Sequence, residues 1–236
     1  LSAAIALCGM SVAFPVGVGL ALVLGVLVNY FGAAKGDPLF IFIGVVLIAA
    51  AIVMNGLAYK KAQTEKRKLT TRGLLISVAA GIIMAFFYRF VAASMDLDNF
   101  VDPAPGKMTP YTAVFVFAVG VFVSNFLFNT LAMRFPVDGA PVRFSDYFKG
   151  DFRTHLVGVL GGVIWCLGES FSMIASGKAG AAISYGLGQG ATLVSALWGI
   201  LIWKEFRGAP KVSDRLNAGM FVVFLIGLGF LIYAGA

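Results

Sequence analysis

Charge is scarce in this 236-residue chain: 12% of its residues are Asp, Glu, Lys or Arg, while 60% are apolar. Soluble domains carry about 25% charged residues, so a water-soluble fold is excluded and an all-helical integral membrane protein is expected. No segment of about ten residues alternates polar with apolar, which excludes an outer-membrane barrel. Histidine occurs once, as His155, which argues against a haem or pigment subunit needing axial imidazoles. The only cysteines, Cys8 and Cys166, both sit in apolar runs and read as small core residues rather than a disulfide or metal pair. With no His/Cys/Asp constellation, no enzyme activity, metal or cofactor is expected. The chain opens on LSAAIALCGM, already apolar, so it is not a signal peptide and is expected to be a fragment beginning inside a helix.

Long apolar runs are what the chain has in abundance. A spanning helix needs roughly 20 such residues, and eight candidates are expected at 1–13, 16–33, 38–58, 73–94, 111–133, 155–176, 180–203 and 217–235. Phe14-Pro15, Lys35-Gly36-Asp37-Pro38, Pro103-Ala104-Pro105-Gly106 and Arg207-Gly208-Ala209-Pro210 are expected to punctuate them. The connecting segments explain the net charge of +7. Fourteen basic residues, from Lys60 to Arg72, Arg134 to Arg153 and Lys204 to Arg215, fall in alternate loops, against Lys35, Lys107 and Lys178 on the other side. That bias places the three basic loops in the cytoplasm, with both chain ends outside. The membrane is expected to be a bacterial inner membrane. A nucleic-acid partner would not need this strict alternation, so none is expected. The external loop 92–110 carries Asp96, Asp98 and Asp102 without EF-hand spacing, so it reads as a solvated loop.

Laying residues 5–31 over 174–200 matches six residues, among them Gly17/Gly186, Gly19/Gly188 and Leu24/Leu193. Each copy then reaches a basic-Gly-x-Pro turn, one outside and one inside. The first three helices therefore read as an inverted copy of the last three, a hallmark of secondary transporters. The expected division is an incomplete first repeat, 1–58, a basic cytoplasmic linker, 59–72, and a complete five-helix repeat, 73–236.

The stretches SVAFPVGVGLALVLGVLVNY, MTPYTAVFVFAVGVFVSNF and AISYGLGQGATLVSALWGILIWKEFRGAP resemble the drug/metabolite transporter superfamily. More narrowly, they are similar to its ureide permease and glucose/ribose porter branch. The resemblance implies ten helices in two inverted five-helix halves around a central cavity, of which these eight would be the third to tenth. It also implies substrates such as sugars, nucleobases, ureides or drugs, and coupling to a cation gradient.

Ionisable residues inside a membrane are costly and mark functional sites by default. Glu169 and Arg89 are such residues, at similar depths in their helices, and are expected to face one cavity. The alternatives are that Arg89 snorkels and that Ser170 or Ser172 caps Glu169. Trp165 lies one turn from Glu169, placed either to stack on a ring-shaped substrate or to fill the core. Tyr185, Gln189 and Thr192 recur at i, i+4 and i+7, an inward polar stripe. Pro15, after Phe14, and its repeat counterpart Ser184, followed by Tyr185, mark where a transporter helix would unwind. These residues define the expected substrate site. The GKAG turn before them lacks Walker A spacing and no strand precedes it, so it does not cradle phosphate. The expected activity is proton- or cation-coupled transport of a small polar metabolite by alternating access. Multidrug efflux and a non-transporting subunit of a membrane complex are the alternatives. The expected partners are that small molecule and the lipid bilayer, with a homodimer or membrane-complex partner left open.

Overall fold

The computed structural model describes residues 1–62, 71–204 and 206–235. The expected basic linker thus lies outside the described residues from 63 to 70, including Lys66, Arg67 and Lys68. All long elements are helical. They run α1 (Ser2–Cys8), α2 (Met10–Ala13), a π-helical segment (Phe14–Val18), α3 (Gly19–Gly32), α4 (Pro38–Ala62), α5 (Thr71–Ser94), α6 (Pro110–Arg134) and α7 (Phe144–Phe148). They continue as α8 (Phe152–Ala179), α9 (Ala181–Gly188), α10 (Ala191–Leu197), a second π segment (Trp198–Ile202) and α11 (Lys211–Tyr233).

Seven helices among the described residues are long and apolar enough to cross a membrane, one fewer than the eight candidates. The difference lies at the start. The expected break at Phe14-Pro15 is absent, and the chain stays helical from residue 10 to residue 32. Proline lacks an N–H and its ring crowds the preceding turn. Here the turn widens instead, and the Gly19 N–H reaches back five residues to the Phe14 carbonyl. A single π turn can absorb such a defect without ending a helix. The break falls at Gly9, whose φ of 80° and ψ of 165° belong to a region that is essentially glycine's alone. Gly180, between α8 and α9, adopts nearly the same conformation, φ 83° and ψ 156°.

Other boundaries follow ordinary capping. The Asp37 carboxylate accepts the Leu39 N–H at 2.8 Å at the start of α4, with Pro38 first in the helix. Thr109 does the same for Thr112 ahead of Pro110. The basic-Gly-x-Pro turns each put their glycine at positive φ, 94° at Gly36 and 85° at Gly208.

The core joins α3, α4, α5, α8, α9 and α11 through Leu22, Ile48, Tyr88, Met173, Ile183, Tyr185 and Phe224. Helices α4 and α11 pack side by side, and Gly44 and Gly227 let them touch. A Cβ added at Gly44 would stand 2.8 Å from the Gly227 carbonyl oxygen, and one at Gly227 would stand 3.0 Å from that of Gly44. Close approach at small residues is how membrane helices gain van der Waals contact where lipid supplies no hydrophobic drive. Polar ties sit further along the same seam. Asn55 donates to Asn217 at 3.4 Å, and Ser213 donates to the Ala58 carbonyl at 2.9 Å. By contrast α6 is largely exposed, touching mainly α8 and α5.

The loop after α5 is folded by its own carboxylate. Asp96 accepts the backbone N–H groups of Asp98, Asn99 and Ala104, and a Met95–Met108 bridge closes its base. Those three amides hold its carboxyl below the ordinary carboxylate range. Lys107 donates to the Ala93 carbonyl and Lys35 to that of Gly177, so both lysines meet carbonyls near the ends of helices.

Candidate functional site

A cavity of about 560 Å³ opens between the first π segment, α5, α8 and the junction of α9 with α10, so two irregular stretches of helix stand on its wall. From the first come Phe14 and Val18, on the π turn. From the second come Gly188, Gln189 and Ala191, around the point where α9 gives way to α10. There the Gly190 N–H bonds to Leu187 and the Thr192 N–H to Gln189, three residues back in each case, so the α-helical ladder is interrupted. Discontinuous helices are where transporters place polar backbone at membrane depth.

Helix α8 supplies the opposite wall: Gly161, Ile164, Trp165, Gly168 and Glu169. One carboxylate oxygen of Glu169, Oε1, is buried and has no hydrogen-bond partner among the described residues. Neither neighbouring serine caps it. Ser170 donates to the Cys166 carbonyl at 2.7 Å, and Ser172 to the Ser184 carbonyl at 3.2 Å. Trp165 is half exposed and its ring lies 6.1 Å from Phe117, which stacks in turn on Phe87 at 5.7 Å. The cavity thus pairs an aromatic wall with a carboxylate and an amide, a common arrangement for orienting a small polar ligand.

Four of the eight expected site residues line this cavity: Phe14, Trp165, Glu169 and Gln189. The other four lie elsewhere. Arg89 does not line the cavity that holds Glu169. Its guanidinium rests on Gly32, where an added Cβ would stand 2.1 Å from Cζ, at the carbonyl end of α3. A cation is stabilised at that helix end. Among the described residues the one ion pair is Lys149–Asp146, so Arg89 and Glu169 are not paired. Thr192 is buried on another side, in a small void with Pro15 and Asn55. The i, i+4, i+7 stripe assumes a regular helix, and the interruption at Gln189–Gly190 takes Thr192 out of it.

Tyr185 and Ser184 belong to a buried layer that separates the cavity from the end bearing the Asp96 loop. The Tyr185 hydroxyl donates within 3.1 Å of the Ala21 carbonyl and 3.2 Å of the Met84 carbonyl, tying α9 to α3 and α5. Its ring fits a notch at Gly25. The Tyr88 hydroxyl donates to the Ser172 carbonyl at 3.0 Å, and the rings of Tyr88 and Tyr185 are 5.4 Å apart. This Tyr88–Ser172–Ser184 linkage was not anticipated: its acceptors are the backbone carbonyls of Ser172 and Ser184, which a side-chain pattern does not mark. Gly161 and Gly168 on the cavity wall were also missed. Their spacing of four and three residues from Trp165 places them on its face.

These features define the class: a polytopic helical membrane protein with a part-polar cavity at interrupted helices. The ureide permease family profile matches residues 49–234, and the chain belongs to that family. It is 27% identical to ureide permease 1 of Arabidopsis thaliana over 165 residues, which are 70% of this chain and 42% of that protein. It is 27% identical to ureide permease 5 of the same plant over 77% of this chain and 44% of the relative. The chain therefore spans less than half the length of these ureide permeases. A probable glucose uptake protein, GlcU, of Priestia megaterium is 24% identical over 97% of this chain and 69% of its own length. No solved structure matches. The relatives carry the names of permeases and an uptake protein, not of enzymes.

Proposed function

We propose that this chain forms part of a secondary transporter for a small polar metabolite, working by alternating access and driven by a cation gradient. The observation that carries the reading is Glu169: a carboxylate with one oxygen buried and unpartnered among the described residues, on the wall of a cavity large enough for a ureide or a sugar. An intramembrane carboxylate is costly unless it binds a proton, an ion or a substrate. Gln189, Trp165 and Phe14 are the companion groups, one to hydrogen-bond and two to present aromatic surface. The names of the relatives, ureide permeases and a glucose uptake protein, support that substrate range.

Two inverted halves, 1–58 and 73–236, supply the alternating motion in this reading. Placing Gly9 over Gly180, which share a backbone conformation, sets Gly17 on Gly188, Gly19 on Gly190, Leu22 on Leu193 and Val23 on Val194. That register differs from the one read in the sequence, and it also sets Val18 on Gln189, both on the cavity wall. The two basic-Gly-x-Pro turns, alike at positive φ, add a second anchor. The basic end faces the cytoplasm by the charge bias of its loops.

Uptake of radiolabelled allantoin, uracil and glucose into proteoliposomes, with and without an imposed pH gradient, tests the reading. Accumulation of one of them above equilibrium, dependent on the gradient, is the expected result. Absence of saturable uptake of all three would remove the transport assignment.

A further inference from the structure

Away from the cavity, where α6 ends and the chain turns toward α7, a separate pocket of about 530 Å³ is lined by Thr130, Met133, Arg134, Pro141, Val142, Arg143 and Phe144. Its wall holds two guanidiniums and no carboxylate. Neither arginine is in an ion pair among the described residues. The nearby acids bond to other groups, although the Arg143 charge also acts weakly on Asp146. Asp146 accepts the Arg143 backbone N–H at 2.9 Å and the Lys149 ammonium at 3.2 Å, and Asp138 accepts the Gly139 N–H. The Thr130 hydroxyl donates to the Phe126 carbonyl, so the arginines are the available charged donors. The Val142 N–H bonds to the Met133 carbonyl at 3.1 Å and holds the pocket's two sides together.

Its surroundings say what such a pocket would meet. Phe135, Tyr147, Phe148 and Phe152 are each 60–80% exposed around it, at the basic ends of the long apolar helices α6 and α8. Exposed aromatics beside arginines at a span's end mark the headgroup level of a bilayer. A pocket there faces lipid phosphate, with Met133, Val142 and Phe144 able to meet the glycerol and upper acyl carbons. Planar guanidiniums match phosphate by paired hydrogen bonds, which a lysine cannot reproduce.

We propose that Arg134 and Arg143 form a binding site for the phosphate headgroup of an anionic phospholipid at the end of the bundle that carries the basic loops. Basic pockets beside transmembrane helices commonly take such headgroups. The site shares no residue with the transport cavity, so it stands or falls independently of the transport reading.

The test is binding of dioleoylphosphatidylglycerol to the detergent-solubilised chain, followed by native mass spectrometry. Dioleoylphosphatidylcholine and inorganic phosphate serve as the comparison ligands. Four proteins are compared: the parent, R134Q/R143Q, R134K/R143K and Lys211→Gln. Expected is retention of phosphatidylglycerol on the parent, a loss of affinity of roughly tenfold or more in R134Q/R143Q, and partial recovery in R134K/R143K. Lys211→Gln, a basic change at the same end but outside the pocket, should leave binding within about twofold. Equal retention of phosphatidylglycerol by the parent and R134Q/R143Q overturns the site. Competition by millimolar inorganic phosphate overturns the assignment to lipid and makes the pocket a free-anion site. Equal retention of phosphatidylcholine overturns the role of headgroup charge. Both arginines are exposed, so their replacement does not disturb the core.

Discussion

Glu169 carries the transport reading on one oxygen, so it is also where that reading is easiest to break. Glu169→Gln keeps the shape and hydrogen-bonding capacity of the side chain while removing its titration. Uptake should persist at some level but lose its stimulation by an imposed pH gradient. Full gradient dependence in the variant would remove the carboxylate from coupling. Arg89, resting on the carbonyl end of α3 and away from the cavity, predicts the opposite pattern. Arg89→Gln should lower the melting temperature yet leave the KM for substrate within about twofold, which uptake kinetics would check. A third residue-scale expectation concerns Asp96, whose three backbone donors lower its pKa. A depressed carboxyl pKa contributes stability that is fully present above the ordinary carboxylate value and lost as pH falls through the lowered one. The amides of Asp98, Asn99 and Ala104 should therefore be protected from hydrogen exchange at neutral pH and lose that protection only in strong acid. In Asp96→Asn, whose amide nitrogen cannot accept an N–H, the Ala104 amide should already lose its protection at neutral pH.

At the scale of elements, the seam between α4 and α11 has the clearest energetics. Gly44→Ala drives a methyl toward the Gly227 carbonyl, a backbone atom that cannot rotate aside. It should cost about 1–3 kcal/mol, seen as a lower melting temperature in a fixed detergent. Gly120→Ala, on the open face of α6 where nothing lies within 4 Å, should be neutral or stabilising by up to about 1 kcal/mol. The same contrast explains what the sequence could reveal. Spans were legible because each is a long apolar run closed by Gly, Pro or charge. Glu169 and Arg89 stood out because ionisable residues are rare inside apolar runs. Azimuth was not legible, since a helix apolar on every side, as α5 is, carries no stripe to say which face is inward. Nor were the breaks. Proline at position 15 advertises a kink that a π turn absorbs, whereas Gly9 hides the real discontinuity behind a residue that also occurs within regular helices. The Tyr185–Gln189–Thr192 stripe failed for the same reason: the interruption it needed to foresee lies inside it.

For the molecule as a whole, the decisive contrast is between the open cavity and the sealed layer beside it. Tyr88 and Tyr185 are each about 1% exposed, and their hydroxyls link α3, α5, α8 and α9. Ser172 adds a bond from α8 to α9. In an alternating-access cycle, opening the cavity toward the Asp96 loop requires these bonds to part. Each is worth about 1 kcal/mol net, so removing two should shift the balance between closed and open forms by roughly tenfold or more. The double variant Tyr88→Phe/Tyr185→Phe retains both rings and loses both donors. The readout is a cysteine at position 189 in a Cys8→Ala/Cys166→Ala background, labelled by a membrane-impermeant thiol reagent added from the loop side. Labelling should be slow with both tyrosines present and several-fold faster in the double variant, with an unchanged helical circular dichroism spectrum. Equal rates would mean that the phenols merely fill space, and that the barrier on that side lies in the apolar packing of Phe87, Phe117 and Met173.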